Sequence, residues 1–176
     1  MIVRGERPED APGVRQVLER AFGQADEADL VDRLRQAGAA TVSLVAVSGL
    51  VVGGAGPDRV IGHILFSPVT IGDRSPPSPT VGLAPMAVAP THRRRGAGTA
   101  LVEAGLALCR EQGVGLVVVL GHQDYYPRFG FRPAHRSGLS CEYDAPLEAF
   151  MALELEDGAL EACAGVVRYH RTFAEL

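Results

Sequence analysis

Lysine, asparagine and tryptophan are absent from this chain, and all 17 basic residues are arginine. The missing lysine excludes a P-loop, whose Gly-Lys-Ser/Thr end sets an ammonium against nucleotide phosphates. It also leaves the protein without a lysine side chain to be modified. Cysteine is scarce: Cys109, Cys141 and Cys163 are odd in number and widely spaced, so neither a disulfide framework nor a Cys-x-x-Cys metal site is expected. Free thiols are predicted, with Cys109 acting as a small buried hydrophobe. No apolar run approaches the ~20 residues that span a bilayer, and Met1–Glu6 turns charged too early for a secretory leader. The cytoplasm is therefore the expected compartment, with no membrane partner. A net charge of −4 argues against a general nucleic-acid binder.

What is present fits one globular unit. At 176 residues, 47% hydrophobic and 22% charged, a single domain over 1–176 is expected, burying roughly two thirds of its unfolded surface. Residues 1–133 form its core and strands in 134–176 complete the sheet. Ile2-Val3-Arg4 reads as an opening strand. Val14, Val17, Leu18, Ala21 and Phe22 recur at helical spacing to a stop at Gly23, and Leu30, Val31 and Leu34 do so in a second helix over about 26–37, stopped by Gly38. The β-branched runs 41–47, 60–71 and 80–88 predict strands separated by loops at 53–58 and 72–79. Val114–Leu120 is continuously apolar, as in a strand buried on both faces. Residues 138–143 and 150–155 are expected to add antiparallel strands. The fold class is thus mixed α/β, a mostly antiparallel sheet with one parallel pair, flanked by helices.

The most informative stretch is Arg93-Arg94-Arg95-Gly96-Ala97-Gly98-Thr99-Ala100. It follows the strand end Pro85–Pro90 and precedes a helical pattern of Leu101, Ala104, Gly105 and Leu108 running toward Gly113. A basic turn at a helix N-terminus suits an anion: the first N–H groups lack intrahelical acceptors and the macrodipole adds positive potential. Its pattern is R-x-x-G-x-G, so the G-x-G-x-x-G dinucleotide fingerprint does not fit.

Arg93-x-x-Gly96-x-Gly98 resembles the coenzyme A pyrophosphate loop of the GNAT superfamily of N-acetyltransferases. Tyr125–Phe131, after Val117–Leu120, is similar to that superfamily's later motif, with Tyr126 four residues ahead of the Gly130-Phe131 pair. Gly62–Ser67 and Met151–Leu155 extend the likeness to the bacterial YhbS-like branch. The resemblance implies an acetyl-CoA-dependent N-acetyltransferase that passes acetyl directly from thioester to a primary amine, with acetyl-CoA as cosubstrate and no metal. The alternative is a non-catalytic coenzyme A-binding sensor or scaffold. Nucleic-acid contact through the arginine run is a further class that the acidic balance opposes.

The resemblance also implies a sheet whose parallel strands splay, the pantetheine arm lying in the gap. It makes Met86, Ala87 and Val88 backbone partners of the pantetheine and thioester, and Arg93, Arg94, Arg95, Gly96, Ala97, Gly98 and Thr99 the phosphate loop. Pro85, which cannot donate to a ladder, either marks that break or merely ends an edge strand. Tyr126 is implied as the acid at the leaving sulfur. For the base, His122 and Asp124 lie in the turn past the apolar strand, and an ordinary imidazole, pKa about 6.5, suits proton removal at neutral pH. His92 is a phosphate candidate, His63 a core histidine, and Glu27 and Asp29 are candidates to attract a cationic amine. The partner expected is a small-molecule or protein amine, with the chain a monomer or homodimer.

Overall fold

Central strands buried on both faces set the layers of this protein. The computed structural model describes residues 1–48, 59–73 and 76–176. The expected loop over 53–58 lies outside the described residues, as do Arg74 and Ser75 of the loop over 72–79. In chain order the regular elements begin with β1 (Ile2–Gly5), α1 (Ala11–Phe22), α2 (Asp26–Gln36), β2 (Val42–Ser48), β3 (Arg59–Pro68), β4 (Thr70–Ile71) and β5 (Thr80–Val88). They continue with α3 (Ala97–Glu111), β6 (Leu116–Leu120), β7 (Arg132–Pro133), β8 (Leu139–Cys141), β9 (Phe150–Glu154) and β10 (Gly165–Arg168).

Seven strands form one sheet in the order β1-β2-β3-β5-β6-β9-β7. Every pair in it is antiparallel except β5 with β6. Because side chains alternate across a strand, each strand feeds two cores. Val45, Val47, Leu65, Leu116 and Val118 meet Val14, Val17, Leu18, Leu30 and Leu34 of α1 and α2. Leu44, Ile64, Phe66, Val117 and Val119 meet Leu101, Val102, Leu106 and Cys109 of α3 on the other face. This accounts for the unbroken apolar run of β6. Phe66 packs directly on Gly105, where a Cβ would lie 2.4 Å from the ring. The Cys109 thiol is buried and its pKa is pushed up to about 12 by desolvation, which makes it an inert packing group.

The C-terminal part departs from the sequence expectation. Leu139–Cys141 does not extend the main sheet as an antiparallel strand; it pairs parallel with β10, which pairs antiparallel with β4, in a separate three-stranded sheet. Of the strands in 134–176 β9 joins the main sheet, where it pairs with β6 and with β7 from just before that region. The small sheet and the turn Arg171–Glu175 add Ile71, Leu139, Val167, Tyr169 and Phe173 to the core on the α1/α2 face.

Behind the sheet lies a buried charge network. His63, fully buried, places Nε2 at 3.0 Å from Ser43 Oγ and 3.5 Å from Glu6 Oε2. Ser43 donates to Glu6, which also receives Arg35. With the Ser43 proton committed to Glu6, the consistent tautomer carries its hydrogen on Nε2, leaving Nδ1 as an unpartnered acceptor.

Candidate functional site

Local strand chemistry opens a gap in the sheet. β5 and β6 are paired only over Thr80–Gly82 and Leu116–Val118. Beyond Gly82, β5 stays on β3 while β6 stays on β9, so the two parallel neighbours part. At the start of the parting the β3–β5 register shifts, with Ile64 opposite Met86 but Phe66 opposite Leu83, so Ala84 and Pro85 bulge opposite Leu65. Pro85 therefore stands at a bulge inside β5, and the reading of it as the mere end of an edge strand is excluded.

The ladder also fixes which backbone groups the gap receives. The bond from Ala89 N–H to the Ile61 carbonyl sets its phase. Because paired and unpaired residues alternate in an antiparallel ladder, Ala87 turns its N–H and C=O to His63, while Met86 and Val88 turn theirs toward the parted β6 side. The expectation that all three residues offer backbone groups to a ligand is corrected at Ala87. Its side chain instead belongs to the core on the α1/α2 face.

At the end of the gap the basic turn meets α3. Arg94 has φ +60° and Gly96 φ +86°, left-handed conformations that turn successive N–H groups to one side. The first helical bond of α3 runs from Ala100 N–H to the Gly96 carbonyl, so the amides of Ala97, Gly98 and Thr99 have no acceptor in the helix. Arg93 donates from Nη2 to the Ala21 carbonyl at 3.2 Å, tying the turn to the end of α1. Arg93, Arg94, Gly96, Gly98 and Thr99 line the cleft. Arg95 is exposed away from it, and the Ala97 side chain is buried in the α3 core.

The gap is the floor of a cleft of about 1310 Å³ that runs from this turn to α2 and the small sheet. Tyr126 lies in its wall, 7% exposed, with its ring 5.1 Å from Tyr125 and 5.6 Å from Phe131. Gly121 allows that placement, since a Cβ there would be 2.4 Å from Tyr126 Cε2. Burial, seconded by Tyr125, pushes the Tyr126 phenol well above its ordinary value, so it is protonated at neutral pH. His122 is exposed and borders the same cleft. Asp124 and His92 do not border it; His92 instead contacts the Thr91 hydroxyl at 2.9 Å. Asp29 is held by Arg15 at 2.6 Å, whereas Glu27 lines the cleft. His63 is the core histidine expected.

Several residues of the cleft were given no role by the sequence. The Tyr125 ring lies under the Arg128 guanidinium, 4.6 Å from its centroid. Its hydroxyl is beside Thr99 without a partner of good geometry among the described residues. Tyr143, Tyr169 and Phe173 border the opposite end, brought there by the small sheet and the turn after it. Among the described residues no cluster of His, Cys, Asp or Glu is disposed to hold a metal, and no helix is long and apolar enough to cross a membrane.

The chain and its fold have counterparts among known proteins. Residues 12–131 match the model of the Acetyltransferase (GNAT) family. The chain is 38% identical over 173 residues to the uncharacterized N-acetyltransferase YhbS of Escherichia coli, covering 98% of each. The crystal structure of that protein in complex with CoA superposes with a TM-score of 0.89 over 98% of this chain and 91% of the other. A GNAT family acetyltransferase from Brucella melitensis, in complex with acetyl-CoA, is 36% identical, with a TM-score of 0.77 over 98% and 97% of the two chains.

Proposed function

The chain belongs to the GNAT family of acetyltransferases, and from that premise we propose that it binds acetyl-CoA in the splayed cleft and transfers the acetyl group to a primary amine. The observation that carries this reading is the parting of β5 from β6 after Gly82, which leaves the outward groups of Met86 and Val88 free to pair with an extended amide chain as an added strand would. The left-handed turn and the free amides at the start of α3 complement a pyrophosphate, with Arg93 and Arg94 supplying charge. That two similar proteins crystallised with CoA and acetyl-CoA supports the choice of ligand.

Positioning supplies most of the catalysis: holding amine and thioester in line is worth roughly 7–11 kcal/mol of the barrier. The amine nitrogen attacks the carbonyl carbon, the carbon–sulfur bond breaks, and the nitrogen loses a proton. His122, at the mouth, takes the ammonium proton that makes the nitrogen nucleophilic. Tyr126 faces the leaving sulfur. A buried phenol is a weaker acid than a thiol, so what it provides is a hydrogen bond to the sulfur as negative charge gathers there.

The test is calorimetric titration of the protein with acetyl-CoA, followed by release of free thiol on adding amines. Binding with turnover supports the proposal. Binding without turnover for any amine leaves a coenzyme A sensor or scaffold, and no heat of binding refutes both.

A further inference from the structure

The cleft is chemically one-sided. Its arginines, Arg93, Arg94 and Arg128, come from the turn before α3 and the segment after β6. Among the described lining residues Glu27 is the one with a carboxylate side chain, and it comes from α2. Neighbouring acids are engaged: Asp29 and Asp32 hold Arg15, and Glu175 meets Arg33. Glu27 has no ion-pair partner among the described residues, only a weak contact at 3.3 Å from the Gln24 side-chain amide.

Aromatic rings line the same cleft, and the turn that carries Phe173 packs on α2, the helix of Glu27. Tyr169 lies between Tyr143 and Phe173, with ring centroids 5.8 and 5.1 Å away. Phe22 and Tyr143 are 44% and 38% exposed, large apolar groups left facing water at this cleft. The Tyr169 hydroxyl is buried with no hydrogen-bond partner among the described residues, yet the residue lines the cleft. A buried donor without a partner is costly unless something entering the site meets it.

We propose that the part of the cleft between Glu27 and the Tyr143–Tyr169–Phe173 cluster is the acceptor subsite and that it takes arylalkyl amines: the ammonium seats beside Glu27, and the aromatic body lies against Tyr143, Tyr169 and Phe173. The proposal rests on the acetyltransferase reading for the meaning of the word acceptor, but the subsite is tested by binding alone. A hydrophilic polycation leaves those rings wet and finds a single acidic side chain, so the site discriminates against it. A neutral aromatic of the same shape fills the wall and forfeits the charge.

The experiment is calorimetry on the protein saturated with CoA, which cannot acetylate, using 2-phenylethylamine, 2-phenylethanol, n-butylamine and spermidine as probes. Burying a phenyl ring and pairing one ammonium each predict an advantage of about tenfold or more, so 2-phenylethylamine binds tightest of the four. Glu27→Gln removes its advantage over 2-phenylethanol while the CoA dissociation constant stays unchanged. Tyr169→Phe, which keeps the ring, weakens probes that carry a ring hydroxyl, such as tyramine, and spares 2-phenylethylamine. Spermidine binding as tightly as 2-phenylethylamine, or a Glu27→Gln variant with intact folding and unchanged preferences, overturns the subsite. Coenzyme A binding without amine discrimination refutes the subsite alone, whereas selective amine binding without CoA binding refutes the acetyltransferase reading and upholds the subsite.

Discussion

A Cβ built on Gly98 would lie 2.8 Å from the Tyr125 hydroxyl, so the helix that begins at the arginine turn and the aromatic segment after β6 fit together only through a glycine. Gly98→Ala forces Tyr125 or the first turn of α3 to move. The expected result is a rise of about tenfold in the acetyl-CoA dissociation constant, ~1.4 kcal/mol, read by calorimetry. Gly98→Glu, which also sets a negative charge at the anion site, eliminates binding. Unaltered affinity in both variants contradicts the loop assignment.

Tyr126→Phe removes a hydroxyl that has no hydrogen bond within the described protein, so folding is preserved. Loss of the donor at the sulfur lowers kcat by about 10²-fold with acetyl-CoA affinity retained. His122→Gln lowers kcat/KM at neutral pH by about tenfold or more and loses less at pH 9, where more of the amine is already neutral. A His122 variant whose deficit is the same at both pH values excludes a base at this position.

The network behind the sheet makes stability depend on pH. Burial holds the His63 pKa below 6.5, despite Glu6, which alone would raise it, and with Arg35 acting in the same direction as burial. For Glu6, burial favours a higher pKa but is outweighed by hydrogen bonds from His63 and Ser43 and by the charge of Arg35, leaving it below 4.5. Between the unfolded and folded values of each group the unfolded chain binds more protons, so stability falls as pH decreases. The loss begins below about pH 6.5 through His63 and continues below about 4.5 through Glu6. Thermal melts at pH 7.5, 6 and 5 should show a declining Tm, with a shallower decline for His63→Gln between the first two. A Tm that rises on acidification refutes the assignment.

Gly105→Val sets two methyl groups beyond a Cβ position already 2.4 Å from the Phe66 ring, which is fully buried. The few tenths of a kcal/mol gained in helix propensity do not offset overpacking, expected to cost ~2 kcal/mol or more. Urea denaturation reads the difference, and a variant as stable as the parent contradicts the close packing of α3 on the sheet.

Much of this architecture was legible in the residues. Apolar spacing and the glycines at 23, 38 and 113 located the helices, and strands on either side of α3 implied the parallel pair. The proline at 85 marked the bulge. What could not be read is what depends on pairing between distant short segments. Leu139–Cys141 and Gly165–Arg168 are too short for periodicity to declare a face, so their parallel partnership and separate sheet were hidden. The same holds for Tyr143, Tyr169 and Phe173, which carry no motif and reach the cleft only through that sheet. Ala87 illustrates a finer limit: whether its amide faces β3 or the gap depends on ladder phase, which a bulge resets and composition does not encode. Near Arg93 the sequence marked the turn but not the side on which each arginine would lie.

Tyr143, Tyr169 and Phe173 of the cleft come from the last part of the chain, beyond the stretch 12–131 that matches the family model, whereas the arginine turn and the parted strands lie within it. Grafting the tail of one homologue onto the body of another would therefore exchange which nucleophile is admitted while preserving the thioester handle. Diversification of such transferases can proceed by rewriting one terminus, with the donor machinery inherited intact.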